Sequence, residues 1–79
     1  MEPKDILSRV AAILREVLDD DQLQVEPSLQ AGEVPGWDSL NHIRIILTIE
    51  KVFGIKLSPS EIAKLKNVGD LEHLIKSKV

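Results

Sequence analysis

The sequence predicts an all-α fold, a four-helix bundle of three longer helices and one short one, with a long loop between the first and second helices. Apolar residues recur at the 3.6-residue helical period in residues 4–18 and 40–53. Helix-start chemistry then recurs at Ser58 and Asn67. No alternating run of β-branched residues separates these segments, and "GIKL" at 54–57 is too short and too isolated to imply a sheet.

In the first segment Ile6, Val10, Ile13 and Val17 recur at helical spacing, with Leu7, Leu14 and Leu18 alongside and Arg9, Arg15 and Glu16 between them. This pattern predicts an amphipathic helix from about residue 4 to residue 18. Pro3 suits the first helical turn, where its missing N–H costs nothing. Asp19, Asp20 and Asp21 fall at the C-terminal end, where the helix dipole disfavours acids, and mark the stop.

Residues 19–38, "DDDQLQVEPSLQAGEVPGWD", show no sustained period. Leu23, Val25, Leu29, Val34 and Trp37 are spaced as anchors that would pin a long loop onto a core. So long a link in so small a chain is unusual and is often functional.

From Leu40 to Phe53 the apolar positions exceed what one helix face needs. At 100° per residue they fall into two stripes, one of Ile45, Ile46, Ile49, Val52 and Phe53 and one of Leu40, Ile43 and Leu47. Asn41, Arg44, Thr48 and Lys51 separate the stripes on one side and Glu50 on the other. Two arrangements satisfy this pattern: a central helix buried on both stripes, or a helix that turns the second stripe to solvent as a docking strip.

Gly54 ends this helix as a left-handed C-cap residue would. "SPSE" at 58–61 then places Ser58 at a cap, Pro59 at the first helical position and Glu61 as the reciprocal member of a capping box. A short helix follows, with Ile62 and Leu65 inward. Asn67 caps the last segment, which has Asp70 in its first turn, Leu71, Leu74 and Ile75 on one face, and Lys76 and Lys78 at the end favourable to cations.

Composition excludes several classes of function. Residues 1–79 form a single domain, and a chain of this length buries only about 60% of the surface its unfolded form exposes. That leaves little material for an elaborate active site. The 43% apolar and 29% charged residues are the balance of a soluble globular chain expected to act as a monomer. Without cysteine there is no disulfide or thiolate metal site, and two separated histidines do not make a metal centre. The N-terminus, "MEPKDILSRV", lacks signal-peptide character, and no run approaches the ~20 apolar residues of a membrane span, so a cytoplasmic protein is expected. A net charge of -3 argues against nucleic-acid binding, including a helix-turn-helix reader.

The chemistry concentrates at "GWDSLNHI", residues 36–43. Asp38 and Ser39 are both residue types that cap helix N-termini. His42 lies three residues after Ser39, close enough on a helix to raise the possibility of a nucleophile with its base. A hydrolytic site also needs a group to orient the histidine and donors for the oxyanion, and no glycine-rich nucleophile elbow surrounds Ser39. The residues better suit a passive acceptor: an exposed hydroxyl at a helix start, activated by another enzyme. A phosphate esterified there would meet the positive end of the helix dipole, worth about 0.3–1 kcal/mol at an exposed site.

"WDSL" at 37–40, followed by "FGIKLSPSEI" and "VGDLEHLI", resembles the acyl carrier protein family across essentially the whole chain. The resemblance implies a discrete stand-alone carrier and not an enzyme. It implies that Ser39 receives 4′-phosphopantetheine from coenzyme A, with Asp38 presenting the serine to the magnesium site of a phosphopantetheinyl transferase. It further implies that Leu40, Ile43 and Leu47 face partners, that Arg44, Glu50 and Lys51 flank this surface, and that Ile45, Ile49 and Phe53 belong to the core. The implied partners are the transferase, an acyl-loading ligase and acyl-transferring or synthase enzymes. The cargo would be a fatty acyl, polyketide or aminoacyl thioester.

One departure stands out. Carriers of housekeeping fatty-acid synthesis usually have an acidic docking helix that meets basic patches, whereas residues 39–53 here carry a formal charge of +1, two basic residues against one acidic. This favours a specialised lipid or secondary-metabolite pathway. The alternative is a helical adaptor that binds partners through the Leu40, Ile43 and Leu47 strip with no prosthetic group, and it predicts that Ser39 is dispensable.

Overall fold

The computed structural model describes residues 3–79 and contains helices α1 (Pro3–Val17), α2 (Ser39–Phe53), α3 (Pro59–Ala63) and α4 (Val68–Lys78). Among the described residues there is no strand, as the absence of alternating patterning predicts. α1 packs against both α2 and α4. Its contribution to the core is Ile6, Val10, Ile13 and Leu14, the inward members of the predicted amphipathic face.

α1 ends in a left-handed residue that is not glycine: Asp19 has φ 53°. The Asp20 N–H donates to the Arg15 carbonyl at 2.9 Å and the Asp19 N–H to that of Glu16 at 3.3 Å. This is a Schellman closure, and aspartate tolerates the left-handed conformation better than most residues. The acidic run therefore does mark the helix stop.

The connection that follows contains a 3₁₀ turn at Ala31–Glu33, which the aperiodic sequence did not reveal. Of the expected anchors, Val34 is buried and Leu23, Val25, Leu29 and Trp37 pack half-buried against the core. Its backbone is tied down as well. The Val68 N–H donates to the Leu29 carbonyl at 2.9 Å, the Gly69 N–H to that of Pro27 at 2.7 Å, and the Asp70 N–H to the Asn67 side chain at 2.8 Å. Loop carbonyls thus satisfy two orphan donors at the start of α4, and the Asn67 cap satisfies a third. Gly69 is needed here for space, because a Cβ would stand 3.0 Å from the Pro27 carbonyl oxygen.

α2 buries Ile45, Ile46 and Ile49, with Phe53 half-buried against the same cluster. Val52, expected in that stripe, is instead 44% exposed. It lies about two turns beyond Ile45, in the last turn of the helix. Gly54 adopts the left-handed C-cap conformation with φ 67°. Ile55, Leu57 and Val68 join the buried core without belonging to any periodic run.

Ser58 caps α3 through the predicted capping box: the Glu61 N–H donates to Ser58 Oγ at 3.2 Å, and the Ser58 N–H donates to Glu61 Oε1 at 2.9 Å. Glu61 Oε2 also pairs with Lys78 Nζ at 3.0 Å, linking the short helix to the end of α4. Ile62 is half-buried in α3, while Leu65, also half-buried, follows the helix end.

Candidate functional site

The candidate site is the junction between the long loop and α2. Asp38 is the N-cap: its extended backbone leads into the helix, and its Oδ1 accepts the Asn41 N–H at 2.8 Å. Asn41 turns back and donates from Nδ2 to the Gly36 carbonyl at 2.7 Å, bracing the last loop residues against the first turn. Ser39 is therefore the first residue of α2 and is exposed.

Its hydroxyl makes no side-chain hydrogen bond to the described residues. Asp38 does the capping, so the serine is uncommitted. The His42 N–H bonds the Asp38 carbonyl at 2.8 Å, while the N–H groups of Ser39 and Leu40 have no acceptor among the described residues. Two orphan donors at a helix N-terminus favour negative charge beside that hydroxyl.

His42 is not the serine's partner. The Trp37 Nε1–H donates to His42 Nδ1 at 3.1 Å, and the two rings stack with centroids 6.2 Å apart. That bond requires Nδ1 to be unprotonated, because indole can only donate. No carboxylate orients the imidazole among the described residues, so the arrangement lacks the third member of a hydrolytic triad. Trp37, expected as a loop anchor, thus bridges the loop to α2, a pairing five residues apart that carries no sequence signature. The Trp37 and His42 rings, with Ala31, Asp38 and Ile43, line a shallow hollow beside Ser39.

Downstream of Ser39 the second apolar stripe lies open to solvent: Leu40 is 60%, Ile43 55% and Leu47 58% exposed. Of the two arrangements the pattern allowed, α2 adopts the one with a solvent-facing strip. Arg44 and Lys51 are exposed beside it. Glu50 is half-buried, and its Oε2 accepts the Leu57 N–H at 2.8 Å, holding the turn after α2. No metal-binding cluster and no helix long and apolar enough to cross a membrane occur among the described residues.

The family described as "phosphopantetheine attachment site" matches residues 8–75, nearly the whole chain. The chain belongs to the acyl carrier protein family. It is 34% identical over 79 residues to the acyl carrier protein of Thermosynechococcus vestitus, covering all of this chain and 98% of that one. It is 30% identical over 76 residues to that of Thermotoga maritima, covering 96% and 94% of the two chains. Its fold superposes on the solution structure of the holo acyl carrier protein from Geobacter metallireducens with a TM-score of 0.87, at 38% identity and covering 92% of this chain and 84% of that one. The protein is accordingly a carrier and not an enzyme, and its prosthetic group is phosphopantetheine. Such a carrier works through enzyme partners.

Proposed function

We propose that Ser39 bears the 4′-phosphopantetheine arm and that the arm's thiol carries an acyl, polyketide or aminoacyl group as a thioester in a specialised pathway. The observation that carries this reading is the exposed Ser39 at the first position of α2, its hydroxyl without a hydrogen-bond partner and the N–H groups of Ser39 and Leu40 without acceptors among the described residues. A phosphopantetheinyl transferase would take the hydroxyl proton. The serine oxygen would then displace the adenosine-bearing phosphate of coenzyme A, leaving a phosphodiester on Ser39.

Asp38 suits the accompanying role because it is exposed and its cap uses Oδ1, so that Oδ2 would be available to the transferase's magnesium. Leu40, Ile43 and Leu47 would seat partners, with Arg44 and Lys51 at their edge. Glu50 contributes chiefly by shaping the turn below this face. The +1 charge of α2 supports a dedicated set of partner enzymes.

The test is loading. Holo-protein incubated with an acyl-loading ligase, ATP and a fatty acid should gain an acyl group that neutral hydroxylamine removes, as it cleaves thioesters. An acyl group resistant to hydroxylamine, or one gained equally by Ser39→Ala, would refute the thioester reading.

A further inference from the structure

We propose that α2 recognises partners through an acidic groove: an apolar channel for Leu40, Ile43 and Leu47 rimmed by carboxylates that meet Arg44 and Lys51. The inference rests on the reading of α2 as the docking helix and adds the chemistry of the surface it meets. Arg44 is four residues after Leu40 and three before Leu47, and Lys51 is four after Leu47, so both cations share the face of the apolar strip. Both are exposed, and neither has an ion-pair partner among the described residues, where the ion pair found is that of Lys78 with Glu61.

The carboxylate that should neutralise this edge is diverted. Glu50 is the sole acid within α2, and its Oε2 is held by the Leu57 N–H at 2.8 Å in a half-buried position. Lys56 continues the positive edge, lining with Leu47, Glu50 and Lys51 a hollow at the end of the helix. The remaining polar residues on that flank, Asn41 and Thr48, are neutral and bonded to backbone carbonyls. Asp38, the nearest other acid along the chain, precedes the helix and caps its N-terminus through Oδ1, six residues before Arg44. The edge is positive although the whole chain has a net charge of -3, so it is a local feature and not a consequence of bulk composition.

Opposite charges across an interface raise the encounter rate and like charges suppress wrong partners, both effects fading as salt screens them. The inference is tested by kcat/KM for modification of Ser39 with coenzyme A and a phosphopantetheinyl transferase whose carrier groove is rimmed by lysine and arginine. Wild type should be slow at low salt and accelerate as salt is added. Arg44→Glu with Lys51→Glu should be about tenfold faster at low salt and slow with added salt, and the corresponding double glutamine variant should fall between, nearly indifferent to salt. A transferase with an acidic rim should give the opposite order. If charge reversal leaves the rates and salt dependences of wild type unchanged with both transferases, or if wild type prefers the basic rim, the inference is overturned while the Ser39 reading stands. The two readings are separated by prolonged incubation with excess transferase: conversion of wild type upholds Ser39 as the acceptor whatever the rate ratio, and failure to convert sinks both.

Discussion

At the scale of single residues, Asp38 takes the capping role that either it or Ser39 could fill. Asp38 closes the helix start through the Asn41 N–H, which frees the Ser39 hydroxyl. Asp38→Ala should therefore lower stability by about 1 kcal/mol, read as a drop in the denaturant midpoint. Asp38→Asn should keep that stability, since asparagine caps equally well, yet lose much of the rate of modification if the carboxylate presents the serine to a metal. Equal stability of wild type and the alanine variant would contradict the capping role. The Asp38 cap and the helix start at Ser39 were legible because helix N-termini have local residue signatures. The Trp37 to His42 hydrogen bond was not, because it depends on the angle at which the loop meets α2.

At the scale of elements, α2 turns Ile45, Ile46 and Ile49 to the core and Leu40, Ile43 and Leu47 to solvent. Ile43→Glu should leave the fold intact and impair transfer to partners, because Ile43 is already in water. Ile46→Ala should cost about 2–5 kcal/mol by opening a core cavity, measured by denaturant unfolding. Global unfolding of Ile43→Glu would mean that the strip is core. The 100° spacing alone separated the two stripes, but it left open whether the second is buried or meets solvent. Val52 could not be placed that way, since periodicity says which side a residue takes and not whether another element reaches it. The docking of Leu29 and Pro27 carbonyls on the start of α4 was equally invisible, because backbone bonds between distant segments leave no side-chain pattern. A second element-scale test concerns α3. The Ser58 N–H, and after it Lys78, hold the Glu61 carboxyl below its ordinary range. A depressed folded-state pKa adds stability above the unfolded value of about 4.3 and loses it as pH falls through the folded value. The melting temperature of wild type should thus fall more steeply than that of Glu61→Gln on acidification below the ordinary glutamate range. Parallel acid limbs would contradict this pinning of α3.

At the scale of the whole molecule, a small aliphatic core supports a long loop, and the loop in turn delivers Ser39 to the start of α2. Ile55, Leu57 and Val68 complete that core from aperiodic segments, which is why the fold class was legible in the sequence and the full core was not. The architecture performs no chemistry of its own. It presents the Ser39 hydroxyl at the start of α2, where two first-turn N–H groups have no acceptor among the described residues, with an exposed apolar strip along the same helix. The most direct test of this account is the intact mass of the purified protein after incubation with coenzyme A and a phosphopantetheinyl transferase. The account predicts a single gain equal to one phosphopantetheine in wild type and none in Ser39→Ala, and an unmodified wild type, or equal modification of the variant, would contradict it.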